Sequence, residues 1–137
     1  MNYREILAES DFSVWEEMAG WLASSYEIKI IQQPETFLVM MPAQDSVEQS
    51  TFYLGEVLIT EAVVEICGTP GYGFAMEDNP AQALAYAIIN AALAHGVPEA
   101  ADIEVLMVKQ EAIIESQRRQ EERLIASTRV NFSILEG

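Results

Sequence analysis

Apolar residues recur along the chain with three different rhythms. Near the start, Ile6, Leu7 and Tyr3 mark one face of a short helix. Ser10-Asp11 then offers a cap, and Phe12, Trp15, Met18, Ala19 and Leu22 return at spacings of three and four, which is one helix face. Ser24-Ser25 closes this segment. The rhythm then changes to β-branched runs. Ile28, Ile30 and Ile31 form one, Pro34-Glu35 interrupts it, and Phe37-Leu38-Val39-Met40-Met41 forms the next. Together they predict an antiparallel hairpin with a short connection.

A polar loop is expected over Ala43–Ser50, followed by a long strand from Phe52 to Ile66 in which Gly55 marks a bend or bulge. Gly68-Thr69-Pro70-Gly71 predicts a turn and Tyr72–Met76 a short strand, giving a second hairpin. Asn79-Pro80 is a helix start, since asparagine caps and proline fits the first turn. The Ala-rich helix Ala81–Ala94 is apolar on most sides, so it is expected at the centre of the core, and Gly96 ends it. From Pro98 a second long helix reaches about Ala126, with Ile103, Leu106, Met107, Ile113 and Ile114 as its stripe. The tail Thr128–Leu135 alternates through Val130, Phe132 and Ile134 and predicts a terminal strand able to join a sheet edge. The elements add up to an α+β protein, an antiparallel sheet of about four strands packed against helices, in one domain over residues 1–137.

Composition narrows the functions open to this fold. Half of the 137 residues are hydrophobic, too many for a disordered acidic tail. The net charge of −15 argues against nucleic acid and anionic membranes, both of which call for Lys and Arg. Residues 1–78 hold 14 acids against Arg4 and Lys29, so most of that charge lies in the first half. The remainder is nearly balanced, with Arg118, Arg119, Arg123 and Arg129 close together. A solvated face and a basic partner subunit are both compatible with this asymmetry. No stretch is apolar enough over about 20 residues to span a bilayer, and no signal peptide is visible, so a cytoplasmic protein is expected.

Catalytic chemistry has little to draw on. Cys67 is the one cysteine and His95 the one histidine, too few ligands for a usual zinc site or an iron–sulfur cluster. A core thiol and a helix-end histidine are simpler readings than a Cys–His pair. Glu56, Glu61 and Glu65 could cluster along the long strand, yet nothing else marks a pocket there. Gly71-Tyr72-Gly73 is half of a dinucleotide fingerprint without its third glycine, and a turn-and-strand role fits better. Trp15 and Trp21, six apart, suggest one ring in the core and one at an interface. No catalytic, metal-binding or cofactor-binding residue is assigned.

The order of Phe52-Tyr53-Leu54-Gly55-Glu56-Val57-Leu58-Ile59-Thr60, Gly71-Tyr72-Gly73-Phe74, the Ala-rich helix and Arg129-Val130-Asn131-Phe132 resembles the PhnG family, the G subunit of the carbon–phosphorus lyase system. The chain departs from the family pattern at Glu61 and Glu65, where relatives tend to be basic, and at Glu77-Asp78-Asn79-Pro80, where they carry Gly-Arg-Asp-Lys. The resemblance implies an accessory subunit of the core complex in phosphonate catabolism, beside H-, I- and J-type subunits and acting with an L-type one. It implies that the system forms ribose 1-phosphonate 5-triphosphate from ATP and a phosphonate. ATP and an iron–sulfur cluster are then implied for the wider system and not for this chain alone. The alternative is an assembly or binding protein of the same fold outside phosphonate metabolism, as a homodimer. Strand bends and terminal strands are natural edges for pairing, so Leu54, Gly55, Glu56, Arg129, Val130, Asn131 and Phe132 are the expected partner-interface residues.

Overall fold

The computed structural model describes residues 2–44 and 51–136, with the backbone path alone for 41–44, 51–54 and 130–136. The elements run α1 (Tyr3–Glu9), α2 (Phe12–Ser25), β1 (Ile28–Gln44), β2 (Thr51–Ile66), β3 (Thr69–Met76), α3 (Pro80–His95) and α4 (Ala100–Glu136). This is an α+β architecture. Among the described residues the sheet has three antiparallel strands in the order β1-β2-β3, one fewer than expected. The chain divides into two compact units, residues 11–103 and a second formed by 1–10 with 104–137.

The sheet lies in the first of these units. Its register explains why the expected hairpin within residues 28–41 does not form. Pro34 does not break the strand, because β1 is an edge strand on which a missing N–H goes unused. Two register shifts, between Ile30 and Gln32 and between Gln32 and Glu35, each give β1 an extra residue over β2. Pro34 sits in the second of these bulges. The β1 strand instead pairs along its length with β2 and takes in Ala43 and Gln44, which were expected in the polar loop; the rest of that expected loop, residues 45–50, lies outside the described residues. The second hairpin forms as expected, but its turn is shifted. Cys67 and Gly68, with φ of 52° and 82°, make a tight two-residue turn, and Thr69 and Pro70 already belong to β3. Positive φ at both central residues is the type I′ pattern that matches strand twist. The Cys67 thiol is therefore exposed, and the expectation of a core thiol fails because the turn points it outward.

On the inner sheet face, Thr60, Ala62, Val64 and Ile66 of β2 are buried beside Gly71, Gly73 and Ala75 of β3. Helix α3 lies on this face with eight buried residues, as its apolar composition predicts. Asn79 caps it by accepting from the Gln82 N–H, Pro80 opens it, and Gly96 closes it in the left-handed region at φ 79°. The contact with β3 is unusually close. A Cβ on Gly73 would lie 2.0 Å from the Ala83 carbonyl oxygen and 2.4 Å from the Ala87 nitrogen. One on Gly71 would lie 2.3 Å from both the Ala87 oxygen and the Ala91 nitrogen. Two glycines two apart on a strand thus meet alanines four apart on a helix, backbone against backbone. Helix α2, capped by Asp11, carries the buried Trp15, Ala19 and Leu22, and its Phe12 ring meets Tyr86 of α3 edge-on at 6.0 Å. Trp15 is fully buried, the core ring expected of the pair, and Trp21 is 45% exposed.

The other unit comprises α1 and most of α4. Asn2 caps α1, and an ion pair joins Glu9 at its end to Arg118 of α4. Ile103, Met107, Gln110 and Ile114 make the buried stripe of α4, whereas Ile113 is exposed. The helix runs to Glu136, so the tail expected as a strand is helical. Residues 100–136 contain neither proline nor glycine. Extending a formed helix gains a hydrogen bond per residue, whereas a new strand needs a neighbour, and that outweighs the two-residue alternation.

Candidate functional site

Three polar clusters stand out in the unit of residues 11–103. The first surrounds Thr60, a fully buried hydroxyl in the middle of the central strand. Its oxygen donates to the Glu77 carbonyl at 2.7 Å, accepts from the Asn79 N–H at 3.0 Å and lies 2.9 Å from the Thr36 hydroxyl. Thr36 also donates to Asp78 Oδ1 at 2.9 Å. Two hydroxyl protons serve three contacts, so the Thr36 proton is shared between Asp78 and Thr60. Glu77 takes a positive φ of 64°, and its N–H donates to the Leu58 carbonyl. The cluster therefore ties the β3–α3 connection across β2 to β1. Asn79 and Gln82 add a side-chain bond of 3.0 Å, and Gln82 continues to the Tyr86 hydroxyl at 2.9 Å. This chain of bonds fixes the first turn of α3.

The second cluster joins the end of α2 to the approach to α4. The Tyr26 hydroxyl donates to Glu99 Oε2 at 2.5 Å. That bond, helped by desolvation and the Glu99 charge, pushes the phenol up to about 12. The third cluster lies at the end of α3, where His95 Nδ1 shares a 2.8 Å hydrogen bond with the Thr69 hydroxyl. His95 thus ends its helix as expected. Among the described residues, no group of three or more His, Cys, Asp or Glu is placed to hold a metal ion. The described residues also offer no acceptor to the buried Trp15 indole N–H.

The expected interface residues fall in different units. Leu54, Gly55 and Glu56 are consecutive on β2, and there the register slips. Met41 faces Gly55 and Pro42 faces Tyr53, which leaves Leu54 as the extra residue of a bulge. This is the irregularity expected at Gly55. Arg129, Val130, Asn131 and Phe132 are on α4, and as helix residues they cannot extend a sheet edge. Side chains at Leu54 and 130–132 lie outside the described residues.

Sequence reasoning missed a different surface. On the outer sheet face, register places Phe37, Ile59 and Met76 in one row, Glu35, Glu61 and Phe74 in the next, and Gln32, Val63 and Tyr72 in a third. Val39 and Val57 extend it. Phe37, Val39, Tyr72, Phe74 and Met76 are all exposed. The signal was the alternation Tyr72-Gly73-Phe74-Ala75-Met76, large residues on one face and small on the other. Glu61 and Glu65 also lie on this outer face.

The fold and this surface define a class first, an α+β protein with one sheet face on a helix and the other carrying exposed apolar side chains among carboxylates. A family model described as phosphonate metabolism protein PhnG matches residues 2–137. The chain belongs to the PhnG family, and its role lies in phosphonate metabolism. No curated protein shows significant similarity to it. Among the described residues, no helix is long and apolar enough to cross a membrane.

Proposed function

We propose that this protein is an accessory subunit of the carbon–phosphorus lyase core complex, working in the cytoplasm beside H-, I- and J-type subunits. In this reading it supports formation of ribose 1-phosphonate 5-triphosphate from ATP and a phosphonate. ATP and the iron–sulfur cluster belong to other subunits, as does the L-type contribution. Family membership over residues 2–137 supports the pathway. One structural observation supports the subunit role. The β3 strand pairs with β2 only from Ile59 to Ile66, so beyond it β1 and β2 continue as a two-stranded ribbon. Leu38, Met40 and Leu58 are exposed on that ribbon. An isolated two-stranded ribbon is marginal in water, and burial against another chain removes that weakness.

The test is co-expression with the H-, I- and J-type subunits, followed by size-exclusion chromatography with mass measurement. One assembly containing this chain is expected. With the L-type subunit, ATP and methylphosphonate added, omitting this chain is expected to reduce adenine release at least tenfold. Assembly and adenine release that are equal without it would refute the proposal.

A further inference from the structure

The outer face of the sheet has a chemistry specific enough to describe what covers it. Phe37, Val39, Tyr72, Phe74 and Met76 are between 38% and 63% exposed. With about 150–250 Å² for a whole aromatic side chain, these five leave on the order of 400 Å² of apolar surface in water. That equals the largest patch of a typical monomer, and it is about half of what one partner contributes to a standard interface. The patch is contiguous, because Phe37 and Met76 flank Ile59 in register while Phe74 and Tyr72 follow on the same face of β3.

Acidic side chains interrupt the patch on β1 and β2. Glu35 and Glu61 stand opposite each other beside Phe74, and Glu65 follows on the same face of β2. Lys29, opposite Glu65, is the sole Lys or Arg in residues 11–103, against 14 Asp and Glu. A second copy docked on this face would bring two such acidic surfaces together. Like charges placed face to face suppress association, and opposite ones promote it.

The geometry points to the outer face of β1-β2-β3 as a docking surface for a protein partner that presents an apolar strip bordered by Lys and Arg. This deepens the subunit reading above and rests on it. The apolar rows supply the contact area. Glu35, Glu61 and Glu65 choose a basic partner over another copy of this chain.

The experiment uses the co-expressed assembly with the H-, I- and J-type subunits. Phe74→Asp combined with Met76→Asp is expected to weaken incorporation at least tenfold. Glu61→Lys combined with Glu65→Lys is expected to weaken it at least fivefold and to flatten its salt dependence. Val105→Asp with Val108→Asp, exposed positions on α4, is the control expected to assemble normally. In case a face variant fails to fold, Met76→Cys in a Cys67→Ser background reports independently. Its thiol is expected to react with maleimide in the free chain and to be protected in the assembly. Normal incorporation of both face variants, or a thiol equally reactive in the assembly, overturns the docking surface while leaving the subunit role intact. A parent chain that never assembles overturns the subunit role, and the docking inference with it. A homodimer broken by the aspartate variants overturns the basic partner.

Discussion

Replacing Gly73 with alanine tests the central packing of the fold. The new Cβ would stand 2.0 Å from the Ala83 oxygen and 2.4 Å from the Ala87 nitrogen. Unstrained contacts to carbon lie near 3.5 Å, so α3 and β3 must separate by more than about 1 Å. Both obstructing atoms are backbone in the middle of a helix and cannot rotate aside. Overpacking costs about 1–3 kcal/mol where neighbours adapt. Here the displaced helix also loses contacts, since a radial gap of 0.5–1 Å forfeits about a quarter to a half of each attraction. The unfolded chain returns about 0.4–1 kcal/mol, because alanine has fewer unfolded conformations than glycine. A net loss of about 2–3 kcal/mol is expected. Urea unfolding followed by circular dichroism should show it as a midpoint lower by roughly 1–2 M, at a slope of about 1–3 kcal/mol/M. Gly71→Ala should behave alike. Gly20→Ala is the internal control. Gly20 lies within α2 with nothing within 4 Å of an added Cβ, so alanine there should stabilise by about 0.5–1 kcal/mol. A Gly73→Ala protein with an unchanged slope and a midpoint at or above the parent's would refute the close-contact argument.

Three further outcomes follow from the polar clusters and the turn. Thr60→Val keeps the side-chain shape but strips partners from the Glu77 carbonyl and the Asn79 N–H, and a loss of about 2 kcal/mol is expected in the same urea assay, with Thr60→Ser close to the parent. Tyr26 should ionise near pH 12 in an alkaline titration followed by tyrosinate absorbance, above its usual 10. Its folded pKa is raised, so its stabilisation is complete below pH 10 and fades as pH rises to about 12; the stability gap between parent and Tyr26→Phe should close over that window. Cys67, at φ 52° in the type I′ turn, should react with a thiol reagent in the native protein, and Cys67→Asn should raise stability by up to about 1 kcal/mol.

What the sequence determined by itself is mostly local. Asp11 and Asn79 as caps, Gly96 as a stop, the stripe of Trp15, Ala19 and Leu22, and the second hairpin could all be read directly, and each depends on residues a few positions apart. The α+β class followed from their order. The family resemblance, carried by the order of longer motifs, was also visible. Tertiary structure decided the rest. Pro34 breaks a strand only where its N–H is needed, and an edge position with a bulge removes that need. Gly71-Tyr72-Gly73 reads as a turn and strand in one dimension, whereas in three its glycines let α3 lie backbone to backbone against β3. The tail alternates like a strand, but the helix before it is already formed and has no proline or glycine to stop it. The outer face became visible only once register set Phe37, Ile59 and Met76 side by side. Periodicity says which residues share a face, and only packing decides which face α3 covers and which is left to a partner.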